Sequence, residues 1–514
     1  MIYNKSYRFR NEISVGMITP TKADFLENVR QGSILPLYRE VPYSAPHARY
    51  EAFCSENSFL LESVKGPLNI ARYSFIGTEP SLVFRAKNGI INLSSQARHE
   101  EFRGDPLSIL KTLVDSYRQK TWDGLPPFQG GLAGLLSYDF AQYLEQLPAR
   151  SADDTNLPDA HFFICNKVIA FDHKEKKCWI IVCPGIDEML LPVPSTDWNE
   201  HYAAAEDAVE ALYRKAASST GHTPAITDRD FPRRRLRSNG VDIVYEMRKR
   251  DYTDMVRRAK EYIAAGDIFQ ANLSQRVSAQ IGERNPWDLY KILRRINPSP
   301  FAAFMHFGNY QIVSSSPERL VRTKDRIIET RPIAGTRPRG MNAREDEILR
   351  CELLLNEKER AEHIMLIDLE RNDIGRVSDY GSVKVDELMI TEDYSHVIHI
   401  VSNITGKFTP GKDCFDVIQA AFPGGTITGV PKVRCMEIID ELEPVRRGPY
   451  TGSVGYIGFS GNMDLNIIIR SFVIKGGSAY VQAGAGIVAD SEAEREYGET
   501  LKKAEALLKT LEMI

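Results

Sequence analysis

The pattern of apolar and polar positions changes character at Asp251. Before it, short strand-like runs predominate; after it, longer stripes at helical spacing separate the strands. The first part predicts a helix over 22–31 and strands over 34–39, 59–63, 71–77 and 82–86. An amphipathic helix follows over 106–118, then a glycine-rich strand over 130–139 whose composition signals close backbone approach. Runs at 162–171 and 178–183 read as a hairpin around Asp172-His173-Lys174, and 198–217 as a helix. The second part predicts helices over 253–265, 287–297, 347–373 and 493–513, with strands over 268–279, 301–307, 311–314, 453–459, 466–474 and 479–483. Thr253 is the expected N-cap of the first of these helices and Gly266 its stop. Between the two parts, the polar stretch 218–240 reads as a linker, dividing the chain into residues 1–240 and 241–514.

Composition narrows the class. The chain has 514 residues, 43% hydrophobic and 26% charged, as a folded globular protein does. A net charge of −4 favours neither nucleic acid nor an anionic membrane as a general partner, and the arginine cluster at 233–237 reads as part of the solvated linker. Seven scattered cysteines form no Cys-x2-Cys pair, so neither a zinc site nor a disulfide framework is expected. The first residues lack the apolar core of a signal peptide, and no apolar run approaches the roughly 20 residues that span a bilayer. A cytoplasmic protein is expected.

Chemistry enters at 423–432, Pro-Gly-Gly-Thr-Ile-Thr-Gly-Val-Pro-Lys. Three glycines and two prolines enforce a rigid turn, and the apolar spacing after it predicts a helix start. Such a junction offers backbone N–H groups to a carboxylate or phosphate, with Lys432 adding a charge, although taken alone it describes an ordinary structural junction. In the helical stretch, Glu359, Glu362 and His363 fall at i, i+3 and i+4. Two carboxylates there suit a hard cation such as Mg²⁺, although taken alone they describe a solvated, salt-bridged face. Glu496 and Glu499, with Lys503 four residues on, repeat the motif in the last helix. In strand alternation His396 and His399 point to opposite faces, so only one can serve a given site, as structural residue or acid/base. Residues 331–340 read as a stiff turn bearing Arg331, Arg337 and Arg339. Tyr450 and Arg470, expected in strands after the glycine turn, are a donor and a forked cation suited to a carboxylate.

Individually these signals are weak; their order along the chain is distinctive. With Pro-Ile-Ala-Gly-Thr at 332–336, the run Ala-Glu-His-Ile-Met-Leu-Ile-Asp-Leu-Glu-Arg-Asn-Asp at 361–373, His399, the 423–432 turn, Glu-Tyr-Gly-Glu at 496–499 and Leu-Leu-Glu-Ser at 60–63, the chain resembles the chorismate-utilising enzymes. Within that family it is similar to the first components of aminodeoxychorismate synthase and anthranilate synthase. The resemblance implies one large α/β (α+β) fold, two sheets packed face to face and flanked by helices. It implies that Glu362 and Glu499 ligate Mg²⁺, with Glu359 and Glu496 close by, and that the ion holds the ring carboxylate of chorismate. Tyr450 and Arg470 would grip the enolpyruvyl carboxylate. Thr426, Gly484 and Gly486 would line the ring, beside Gly335 and Thr336. His399 would act as acid/base at the departing hydroxyl, and Lys503 would assist at the metal end.

Ammonia is the implied nitrogen source. No cysteine sits in a Gly-x-Cys-x-Gly elbow, so a separate glutamine amidotransferase subunit is the expected partner. Ala334 stands where many aminodeoxychorismate synthases carry a lysine nucleophile and anthranilate synthases carry alanine. Leu-Leu-Glu-Ser matches the tryptophan feedback pocket of anthranilate synthases, here Glu62, Ser63, Asn297, Pro300 and Phe301. The following Ala302-Ala303, in place of bulkier side chains, should loosen that pocket. The stretches 441–448 and 461–464 look like the folate branch, so aminodeoxychorismate formation is the expected reaction and anthranilate formation the alternative. A non-catalytic chorismate or tryptophan binder, and an isochorismate or salicylate synthase, are the remaining readings of the same resemblance.

Overall fold

A computed structural model describes residues 16–95, 99–117, 119–186, 197–218, 241–393 and 397–514. His396 and residues 219–240, which hold nearly all of the linker read over 218–240 and its arginine cluster, lie outside the described residues. Two sheets of 12 strands each organise the described chain, and the ladders between their strands are antiparallel. Both sheets draw strands from both sides of the linker. In the first, Ser58–Glu62 pairs with Phe301–His306; in the second, Gly131–Leu136 pairs with Ser453–Gly458.

The sheets pack face to face, and period-two alternation explains how. Along Ala160–Cys165, Phe163 and Cys165 enter the core between the sheets, while Phe162 and Ile164 enter the core under the flanking helices. Phe75 of the first sheet meets Tyr456 of the second with ring centroids 5.3 Å apart. Helices Lys249–Ala264, Pro286–Ile296 and Ala493–Glu512 cover the outer face of the first sheet. Glu357–Gly375 and Cys414–Ala421 cover part of the second.

Three stretches of chain change sheets midway, two of which read as continuous strands in sequence. The run 162–171 breaks at Asn166, with Ala160–Cys165 in the second sheet and Lys167–Asp172 in the first. The run 466–474 breaks into Met463–Ile467 and Ser471–Lys475, and Tyr310–Ser316 passes through Pro317 and Glu318 into Arg319–Lys324. The last two crossings lie side by side: Ile467 N–H donates to the Glu318 carbonyl at 3.0 Å, and Ser315 N–H to that of Arg470 at 3.2 Å.

Other expectations are corrected in detail. Thr253 is no N-cap: its helix starts at Lys249 after Arg248, and the Thr253 hydroxyl donates to the Arg250 carbonyl. The long stretch 347–373 is two helices, Ala343–Leu355 and Glu357–Gly375, with Asn356 closing one and capping the other. The arginine turn at 331–340 is a strand, Ile333–Pro338, with a bulge at Gly335. Its arginines are spoken for, Arg331 by Glu387 and Glu392, Arg337 by Glu359 and Arg339 by Asp346. Tyr450 and Arg470 precede strands instead of lying within them.

Candidate active site

Polar residues gather where the two crossings, the glycine turn and three other elements meet. Strand Gln270–Gln280 contributes Gln270 and Asn272, two apart and therefore on one face. Helix Glu357–Gly375 brings Glu359 and Glu362, and helix Ala493–Glu512 brings Glu496, Glu499 and Lys503.

The acidic end is built against Gly486. Gln270 Nε2 donates to Glu362 Oε1 at 3.0 Å, and a Cβ on Gly486 would lie 2.5 Å from that nitrogen and 3.6 Å from that oxygen. Burial, reinforced by the charge of Glu499, pushes the Glu362 and Glu496 carboxyls up from the ordinary range. Lys503 tempers the cluster: Nζ pairs with Glu499 at 2.7 Å and donates to the Gly484 carbonyl at 3.1 Å. Among the described residues, no group of three or more His, Cys, Asp or Glu side chains is gathered to enclose a metal unaided. An all-oxygen donor set of one or two carboxylates that repel one another does fit Mg²⁺, which keeps waters and substrate oxygens as its other ligands.

At the other end, a Cβ on Gly484 would meet Asn272 Oδ1 at 2.4 Å and the Tyr450 hydroxyl at 3.0 Å, so glycine there keeps space open. Arg470 stands at its crossing with φ +53°, half-buried, beside Tyr450 and Glu318. Its guanidinium has no ion pair or hydrogen bond among the described residues.

His399, on strand Val397–Lys407, approaches the Gly335 carbonyl (3.1 Å) and the Thr336 hydroxyl (3.0 Å) through Nδ1. Donation to that carbonyl places the proton on Nδ1 and makes Nε2 the unprotonated nitrogen. Burial, with Arg470 and Lys503 nearby, lowers its pKa to about 4, so the ring is neutral at pH 7. Glu359 reaches the same bulge from the helix and pairs with Arg337 at 2.7 Å. His363, expected beside the glutamates, instead turns under the sheet, fully buried, with Nε2 on Ser402 Oγ at 2.7 Å.

The structure adds Glu318, which the sequence reading missed along with Gln270 and Asn272. Its carboxyl is buried, faces Thr426 without a well-formed hydrogen bond, and is pushed up to about 7 by burial against the pull of Arg470 and Lys503. Oxygens of Gln270, Asn272, Glu318, Glu359 and Thr426 are all buried here without a hydrogen-bond partner among the described residues. Such groups cost free energy unless a ligand satisfies them, and their clustering marks a binding site. The glycine turn supplies Thr426, but Lys432 does not add a free cation: it pairs with Asp373 at 2.5 Å and donates to the Ala421 carbonyl.

A second cavity of about 440 Å³ lies between the sheets, lined in part by Glu62, Ser63, Pro300, Phe301 and Ala302. Asn297 does not line it; its amide donates to the Ser315 carbonyl at 3.3 Å. Burial would raise the Glu62 pKa, but the nearby His47, 3.5 Å away, and the hydrogen-bonded Arg294 guanidinium win and lower it to about 2. Tyr290 and Arg294 donate to its oxygens at 2.7–2.9 Å.

Comparison with known proteins agrees with this architecture. The chain is 43% identical over 501 residues to anthranilate synthase component 1 of Acetivibrio thermocellus, covering 96% of this chain and 99% of that protein. It is 43% identical over 455 residues to aminodeoxychorismate synthase component 1 of Bacillus subtilis (strain 168), covering 88% and 91%. The crystal structure of anthranilate synthase component I from Streptococcus pneumoniae TIGR4 superposes with a TM-score of 0.71 at 36% identity, covering 85% of this chain and 92% of that one. Residues 56–509 match the family described as chorismate binding enzyme, and the chain belongs to that family.

Proposed function

We propose that the chain aminates chorismate with ammonia in the presence of Mg²⁺, giving aminodeoxychorismate. The observation that carries this reading is the set of partnerless buried oxygens lying opposite Arg470 and Lys503. A ligand with negative groups at its ends and exchangeable hydrogens between them satisfies both, and chorismate with ammonia is such a pair. Glu362 and Glu499 would hold Mg²⁺, with Glu496 and Glu359 close by, and the ion supplies charge neutralisation for a carboxylate. Tyr450 and Arg470 would bind the second carboxylate, the unpaired guanidinium being the natural fork for it.

Between these anchors the ring lies along Gly484, Gly486, Gly335 and Thr336, none of which projects a bulky side chain. Ammonia's lone pair forms the C–N bond as the ring C–OH bond breaks. Hydroxide leaves poorly, so a donor must protonate it, and Glu318 is a carboxyl held protonated near neutrality. The carboxylate left behind takes the proton that the new ammonium nitrogen sheds, so Glu318 ends as it began. His399, neutral and fixed through Nδ1, orients the departing hydroxyl, and Thr426 faces Glu318 from the glycine turn.

The stretches 441–448 and 461–464 favour the folate branch. The alternative product, anthranilate with pyruvate, is favoured by Ala334, which leaves no amine on that strand near the ring, and by the names of most of the similar proteins. Because the relatives are named component 1, a second component is implied, and we propose that it is a glutamine amidotransferase. The test is to incubate the purified chain with chorismate, Mg²⁺ and either ammonia or glutamine, and to identify the product by mass and fluorescence. Aminodeoxychorismate from ammonia alone is expected. Release of anthranilate would reverse the branch, turnover of glutamine would remove the partner, and unconsumed chorismate would overturn the reading.

A further inference from the structure

Behind the site lies a charge pair with no part in the chemistry above. Arg447 and Glu443 are both buried, with side chains 1% and 3% exposed. Arg447 Nε and Nη2 grip the two oxygens of Glu443 at 2.9 and 2.7 Å. Nη1 donates to the Ile427 carbonyl at 2.9 Å and to Thr451 Oγ1 at 3.3 Å, and Nη2 to the Asn272 carbonyl at 2.6 Å. Glu443 Oε1 in turn accepts the Ser274 N–H and hydroxyl, both at 2.8 Å. The guanidinium also lies over the Tyr138 ring at 4.7 Å and the Tyr450 ring at 5.8 Å.

These partners are the backbone of the catalytic machinery. Ile427 follows Thr426 in the glycine turn, the Asn272 carbonyl belongs to the residue whose amide faces Gly484, and Thr451 follows Tyr450. A buried ion pair is weak evidence of stabilisation, since apolar residues of similar volume often serve as well. What apolar residues cannot do is hold three separate segments by their carbonyls and a hydroxyl at fixed angles. Only a planar fork with five donors does so, which a lysine does not reproduce.

We propose that Arg447, fixed by Glu443, is the positioning residue of the active site, setting Thr426, Asn272 and Tyr450 relative to one another. This rests on the amination reading above. A misplacement of about 1 Å can cost about 100-fold in rate, so the effect belongs in kcat.

The test uses the full chain carrying Arg447→Lys and, separately, Glu443→Gln, assayed with chorismate, Mg²⁺ and ammonia, with the folded fraction followed by circular dichroism at the assay temperature. The expected result is a fall in kcat of about 100-fold for Arg447→Lys and about tenfold or more for Glu443→Gln. Each fall should exceed the loss of folded protein, with KM for chorismate moving much less. Wild-type kcat in a folded form of either variant overturns the proposal. A loss that merely tracks the folded fraction in both also overturns it, because the pair then serves stability alone. Absence of turnover in the wild-type chain overturns the parent reading and the proposal with it.

Discussion

Glu318 is the residue on which the proposed chemistry turns, and its behaviour with pH is specific. Its pKa is pushed up to about 7, and the form that can donate a proton is the neutral one, present below that value. His399, lowered to about 4, stays neutral over the same range. At constant free-ammonia concentration, kcat/KM is therefore expected to be level from about pH 5 to 6.5 and to fall above pH 7. Glu318→Gln should lower kcat by about 10²- to 10⁴-fold and abolish that alkaline fall, which a pH series on both proteins measures. A variant that kept the alkaline limb would assign it to another group. Little in the sequence pointed to Glu318. It has no acidic neighbour at helical spacing, and its place is set by a strand leaving one sheet for the other, which no local periodicity records. Gln270 and Asn272 did carry a signal, because polar residues alternating with Ala271 and Leu273 in a strand imply a polar face. That face turns out to be the one opposite Gly484 and Gly486. His363 shows the converse, since helical spacing gave its neighbours correctly but not the tilt that buries it under Ser402.

At the level of elements, the two acidic helices were legible because i, i+3 spacing is a local property; Ala493–Glu512 packs on strand Ser478–Ile487, and Glu362 reaches across from Glu357–Gly375 to Gln270 and Gly486. Legibility failed where pairing is distant. The arginines of 331–340, read in sequence as able to meet an anion or merely to cap a surface, are each neutralised by cross-element carboxylates, and Lys432 is likewise paired with Asp373. A charged residue in sequence carries no label for its partner, so those pairings appear only in three dimensions; Arg470, singled out with Tyr450 from the sequence, has no ion pair among the described residues. If Glu362 and Glu499 share one ion, their removal must be coupled. Glu362→Ala and Glu499→Ala are each expected to raise the Mg²⁺ concentration for half-maximal activity by at least about tenfold. The double variant should fall well short of the product of the two effects. Magnesium titration of the activity, with calorimetry of Mg²⁺ in the presence of chorismate, checks this. Independent, multiplicative effects would place the two carboxylates in separate roles.

For the whole molecule, the paired β-ladders make the two halves of the chain inseparable. Strand Phe301–His306 lies inside the first sheet only because Ser58–Glu62 covers its edge, and Ser453–Gly458 lies inside the second only because Gly131–Leu136 does. Removing residues 1–240 would strip both partners at once and expose two long apolar edges, together with the inner faces that Phe75, Phe163 and Ala170 now cover. The residues proposed for the chemistry all lie beyond residue 241, yet the fragment 241–514 expressed alone is expected to aggregate or to lack a cooperative thermal transition. The same fragment co-expressed with residues 1–240 should recover a folded complex, because the ladder registers specify the reassembly. Size-exclusion chromatography and circular dichroism distinguish the cases. A soluble fragment that melts cooperatively and still consumes chorismate would mean that the site does not depend on the interleaved sheets. In that event the crossings at 316–319 and 467–471 would have to hold Glu318 and Arg470 in place by their mutual hydrogen bonds alone.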